Sequence, residues 1–167
     1  MDNAAASLPV FPAVQEALHI GIDELPFVAL GDGSHIQVLH IDLKQGLWVV
    51  RMRFEPGCTI VKHQHTGPVF AVTAQGTWHY LEYPGSRNRP GSYLFEPAGS
   101  VHTLHVPPDQ SEDTIVWFAV FGANLNLGSL GQVEMVIDAR TVLGAYRARC
   151  AAMGLATDKL IVVGEDG

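Results

Sequence analysis

Cysteine is scarce: Cys58 and Cys150 are the only two in 167 residues, too few and too far apart for a disulfide framework. Basic residues are also short in supply. Ten Lys and Arg stand against seventeen Asp and Glu, a net charge of −7. That balance argues against nucleic acid or an anionic membrane as partner, because both select a basic surface. No apolar run approaches the roughly 20 residues of a membrane helix. The opening residues Met1 to Ser7 lack the basic and apolar regions of a secretory signal, so the expected location is cytoplasmic. Charged residues make up 16% of the chain and hydrophobic ones 47%, a ratio that favours a buried core over disorder. Neither an internal repeat nor a low-complexity tract interrupts what reads as one folded unit.

What the chain does contain is a series of short apolar or alternating segments divided by Gly and Pro. After a loose arm and a short predicted helix from Phe11 to Leu18, with Pro12 near its start, strands are expected over Phe27–Leu30, His35–Ile41, Leu47–Phe54 and Thr59–His65. Val69–Ala74 and Trp78–Tyr83 flank a turn at Gln75, Gly76 and Thr77. Tyr93–Phe95, His102–Val106 and Ile115–Phe121 continue the series. Many short strands with such punctuation predict an all-β sandwich or barrel. The tail differs: Asp138 is placed to cap a helix from Ala139 to about Met153, and Val142, Leu143, Tyr146 and Cys150 fall near one face. Gly154 stands where a terminating glycine is expected.

Two patterns carry the chemistry. His63 and His65, at i and i+2 in an extended segment, project from the same face of a strand. His102 follows the Pro97-x-Gly99 turn. Three imidazoles converging from two strands form a transition-metal site with open positions. Such a set accepts Fe, Mn, Ni, Cu or Zn, so the metal is not specified by the ligands alone.

The spacing of these residues resembles the paired motifs of the cupin superfamily. Gly57 is followed after five residues by His63-x-His65, then after three by Val69 and after six more by Gly76. Gly91 is followed after five residues by Pro97-x-Gly99, after two by His102 and after three by Val106. Val69 stands where that superfamily usually has a Glu ligand, and Val106 where it has Asn. The resemblance implies a double-stranded β-helix, or jelly roll, with the metal inside. It divides the chain into an N-terminal arm (1–26), a cupin barrel (27–137) and a C-terminal helix and tail (138–167).

A narrower likeness runs through His63–Val69, Gly76–Tyr83 and Gly91–His102. It is similar to the 2,4'-dihydroxyacetophenone dioxygenase family, related to acetylacetone-cleaving enzymes and to the cupin domain of anti-sigma factors. This resemblance implies cleavage of a carbon–carbon bond beside a ketone, with non-haem Fe(II) and O2. His63, His65 and His102 would hold the iron. A carboxylate on the next strand, Glu82 here, would replace the missing motif Glu.

Trp78, Tyr80 and Glu82 alternate and would share one face of their strand. If that face is inward, Glu82 must be paired or metal-bound; otherwise it is a rim carboxylate in solvent. Tyr80 and Glu82 are the candidate catalytic residues. Glu96 is either a partner to the ring N–H of a metal histidine or a surface residue before a turn. Phe70, Trp78, Tyr80, Trp117 and Phe118 are candidate pocket aromatics, with core packing as the alternative. His19, His35, His40, His79 and His105 read as ordinary surface or packed histidines.

The expected function is Fe(II)-dependent dioxygenation of a small aryl hydroxyketone or β-diketone, with Zn, Ni or Mn as other possible occupants. A non-catalytic Zn-binding sensor or anti-sigma-like cupin is the rival reading. An isomerase or epimerase is a third, poorly served by Val-rich aromatic strands. A homodimer or homotetramer is expected, joined through Leu125 to Ile137 and the following helix.

Overall fold

Turn residues cut the chain into antiparallel strands, and the inward side chains of those strands close two sheets around one interior. The computed structural model describes residues 17–165. The expected arm and most of the Phe11–Leu18 helix lie outside them; Ala17 and Leu18 themselves are not helical. In chain order the strands are β1 (Val28–Ala29), β2 (Ser34–Asp42), β3 (Leu47–Phe54), β4 (His63–His65), β5 (Val69–Gln75), β6 (His79–Tyr80) and β7 (Tyr93–Glu96). They continue with β8 (Val101–His102), β9 (Leu104–His105), β10 (Thr114–Phe121), β11 (Asn124–Leu127) and β12 (Val133–Ile137). Helix α1 (Ala139–Ala152) and strand β13 (Ile161–Val163) complete the fold. The larger sheet runs β1-β2-β3-β10-β5-β7, the smaller β12-β11-β4-β8, and β6-β9 form a ribbon. This is a cupin-type jelly roll, all-β with one C-terminal helix.

Period-two alternation explains which residues enter the interior. On β5, Val69, Ala71 and Thr73 are buried, while Phe70 and Val72 face out. Phe54, Ala71, Trp78, Tyr80, Leu104, Val106 and Val116 pack into one cluster. Trp78 lies at its centre, fully buried, with its indole N–H donating to Thr73 Oγ1 at 2.9 Å. Gly76 turns the chain after β5 at φ +73°, and a Cβ there would stand 2.8 Å from Thr114 Cα. Only glycine meets both demands at once.

The helix forms where the sequence predicts it. Asp138 accepts from the Thr141 N–H at 2.8 Å, and the Thr141 hydroxyl accepts from the Asp138 N–H at 2.6 Å, a reciprocal cap. Val142, Leu143, Tyr146 and Cys150 are its buried face, pressed on a second apolar cluster that includes Val38, Ile41, Trp48 and Val50. The Tyr146 hydroxyl donates to Pro26 O at 2.7 Å and ties the helix to the segment before β1. The tail then returns as β13, parallel to β2 with Ile161 opposite His40. A three-residue strand carries too little periodicity to be read from sequence. Asp138→Ala should lower unfolding free energy by about 1 kcal/mol, measured by denaturant titration, with the helix retained because its buried face is untouched.

Candidate metal centre

Pairing of two short strands assembles the site. β4 and β8 are antiparallel with His63 directly opposite His102, and His65 lies two residues along the same face of β4. All three histidines are buried, and each offers a ring nitrogen within 4.8 Å of the others. The rings lie edge-to-face at 5.0 Å for His63–His65 and 4.7 Å for His63–His102. His63 Nδ1 is 2.8 Å from Val61 O; donation there leaves Nε2 as the free lone pair. Burial lowers the pKa of His63. Burial also drives His65 down to about 4, against the pull of Glu96. At neutral pH these two rings are therefore uncharged and need release no proton to bind a metal.

A buried carboxylate beside the histidines comes from Glu96. On β7 it sits directly opposite Val69, the position where the motif Glu is missing. The space beside Val69 is thus filled from the neighbouring strand. Glu96 is 3% exposed, and its Oε2 lies 3.1 Å from both His65 Nε2 and His102 Nε2. Among the described residues neither Glu96 Oε2 nor His102 Nε2 has a hydrogen-bond partner, so these atoms approach closely without being aimed at one another. The Tyr80 hydroxyl donates to Glu96 Oε1, and the Tyr80 ring stacks on His102 at 3.9 Å. Burial pushes the Glu96 carboxyl up, but His102, His65 and Tyr80 outweigh it and hold the pKa below the ordinary value. Burial, reinforced by Glu96, keeps the Tyr80 phenol well above its usual pKa and hence protonated. The three buried imidazoles are a donor set that fits a first-row divalent ion, and the ionised Glu96 carboxylate lies against two of them.

Glu82 does not join this set. The strand ends at Tyr80, and the turn that follows breaks the alternation expected to keep Glu82 on the face of Trp78 and Tyr80. Its exposed carboxylate instead accepts from the Thr103 N–H at 2.8 Å and hydroxyl at 3.0 Å. Phe70 points outward, 37% exposed, against Phe95 and Phe121, because the alternation on β5 puts Val69 inside. Trp78 is core beneath Tyr80 rather than a wall of the cavity. Trp117 faces out beneath the Arg51 guanidinium. Phe118 does line the cavity. His79 and His105 pair with each other on the β6-β9 ribbon.

A cavity of about 190 Å³ opens onto His63, His65, Tyr80 and Glu96, with Trp48, Val50, Phe118, Val120, Ile137 and Val142 among its apolar walls. Asn124 and Asn126 also line it. Sequence reading passed over both, although the alternation from Asn124 to Leu127 is a visible signal.

Residues 15–124 match the profile of the ChrR cupin-like domain. The chain belongs to that cupin family. A cupin-like protein of unknown function from Ralstonia eutropha is 33% identical, with 94% of this chain and 98% of that one aligned at a TM-score of 0.84. Acetylacetone dioxygenase from Acinetobacter johnsonii aligns over 87% of this cupin and 99% of its own chain, at 20% identity and a TM-score of 0.70. The anti-sigma factor ChrR, in complex with SigE of Rhodobacter sphaeroides, shares the fold at 17% identity and a TM-score of 0.50, over 60% of this chain and 51% of that one. No curated protein matches the sequence.

Replacing His102 with Ala should abolish tight binding of a transition metal, measured by chelator competition. In the same assay Glu96→Gln should weaken binding about 10–100-fold, the usual cost of losing a carboxylate that faces ligand histidines. Glu82→Gln should leave affinity unchanged. A loss for Glu82→Gln equal to that for Glu96→Gln would overturn the placement of the carboxylate.

Proposed function

We propose that this cupin is a metal-dependent dioxygenase that cleaves a carbon–carbon bond of a compact ketone, an aryl hydroxyketone or a β-diketone, as in the 2,4'-dihydroxyacetophenone and acetylacetone dioxygenase families. One observation carries the reading: three imidazoles and a buried carboxylate converge at one side of an otherwise largely apolar cavity. A bound Fe(II) ion would supply Lewis acidity towards an enolisable ketone and the redox capacity that O2 chemistry requires.

The chain's own residues set the conditions. His63, His65 and His102 would hold the ion. Glu96, kept ionised, supplies negative charge beside the three rings, and Tyr80 fixes one carboxylate oxygen while its ring fixes His102. The apolar walls limit water. The cavity of about 190 Å³ is somewhat larger than the roughly 150 Å³ apolar cavity known to admit benzene, so the ligand is a small diketone or a single-ring ketone. Fe(II)-loaded protein should consume O2 with pentane-2,4-dione or an aryl hydroxyketone, followed with an oxygen electrode. Absence of uptake with both, in protein shown to hold Fe(II), would favour the second reading. That reading, a non-catalytic Zn-binding cupin, is supported by membership of the ChrR cupin-like family.

We also propose that two or four copies assemble through β12. It is the outer strand of the smaller sheet, and Val133, Met135 and Val136 on it are each more than half exposed. An unpaired apolar edge is a template for pairing with a second copy. Light scattering should report a dimer or tetramer, and Met135→Glu should shift it towards monomer; a concentration-independent wild-type monomer would refute the assembly.

A further inference from the structure

We infer that Asn124 and Asn126 position the oxygen atoms of a ligand held at the histidine cluster, an assignment that rests on the metal-dependent reading above. β11 lies beside β4 with Asn124 opposite His65 and Asn126 opposite His63. Directly opposed residues on antiparallel strands project to the same side of the sheet, and both amides line the cavity that His63 and His65 line. The register therefore delivers one amide alongside each of two metal-binding rings.

Several other polar side chains of the cavity are engaged within the protein, although Glu96 Oε2 and His65 Nδ1, at the histidine cluster, have no hydrogen-bond partner among the described residues. Asp32 accepts from Ser34, Tyr80 donates to Glu96, and His63 Nδ1 meets Val61 O. Asn124 Oδ1, outside that cluster, is also buried without a hydrogen-bond partner among the described residues. Buried polar atoms are rarely left unpaired unless a ligand or water completes them. An amide carries both donor and acceptor, and rotation of its plane presents either to a carbonyl or hydroxyl oxygen. Facing amides on a rigid strand pair hold a ligand's orientation where the apolar walls, which recognise only shape, cannot.

Zn(II)-loaded protein, which separates binding from turnover, provides the test. Calorimetric titrations use three probes: pentane-2,4-dione, hydroxyacetone and ethanethiol. The thiol reaches the metal through sulfur and has no oxygen. Asn124→Leu and Asn126→Leu preserve side-chain size and remove the hydrogen bonds. Each should weaken binding of the oxygen ligands roughly three- to tenfold, the loss expected for one neutral hydrogen bond. Zn(II) affinity and ethanethiol binding should stay as in wild type. Should a Leu variant fail to bind one Zn(II) per chain, the Ala variant replaces it. Equal binding of the oxygen ligands to wild type and variants overturns the role of the amides and leaves the chelation reading standing. So does a loss shared equally by ethanethiol. If wild type binds ethanethiol but neither oxygen ligand, both readings fall together.

Discussion

Burial of the Glu96 carboxylate is the constraint on which the rest of the site depends. An ionised carboxylate withdrawn from water costs several kcal/mol unless its oxygens are met. Here one oxygen is met by the Tyr80 hydroxyl, and the other faces the imidazoles of His65 and His102. A divalent cation among these rings would repay much of that cost. The same burial that penalises the carboxylate keeps His63 and His65 deprotonated. One dry environment thus prepares both halves of a metal site, and the two effects have a single origin.

That environment is maintained from outside the cluster. β7 must pair with β5 for Glu96 to stand opposite Val69. β8 must pair with β4 for His102 to meet His63. Trp78 fills the space behind Tyr80 with a T-shaped contact at 5.2 Å, so the ring that covers His102 has no room to swing away. At another wall, Val142 of α1 and Ile137 before it reach the cavity. The helix therefore closes the barrel as well as packing on its sheet. Its cap at Asp138 is remote from the histidines, yet it fixes the segment that carries Ile137 and Val142.

The histidines, the turn glycines and the C-terminal helix were legible because each leaves a local mark. Period-two spacing put His63 and His65 on one face, Gly76 sits at a turn that tolerates no side chain, and Asp138 caps a helix with a coherent apolar face. The carboxylate was not legible in the same way. The family resemblance pointed to Glu82, which alternation would place on the face of Trp78 and Tyr80, but alternation holds only while the strand lasts, and this one stops at Tyr80. Glu96 precedes a turn, a setting equally suited to an exposed residue; only the pairing of β7 with β5 decides between the two. Phe70 failed for a related reason. Val69 and Phe70 are both good strand residues, and which of them faces inward is a matter of register rather than composition.

The same register bears on the choice between catalysis and simple metal retention. A site built only to retain an ion is closed on all sides by protein ligands and their packing. This one has His102 sealed beneath Tyr80, while His63 and His65 remain on the wall of a cavity large enough for a small organic molecule. Structural retention gives no reason for that space, nor for setting two amides beside the rings that border it. Val69 adds to the contrast. A Glu there would approach from β5, whereas the chain supplies its carboxylate from the adjacent strand and leaves an apolar side chain in its place. The metal-binding groups are thereby gathered towards one side, and the opposite side is open to a ligand.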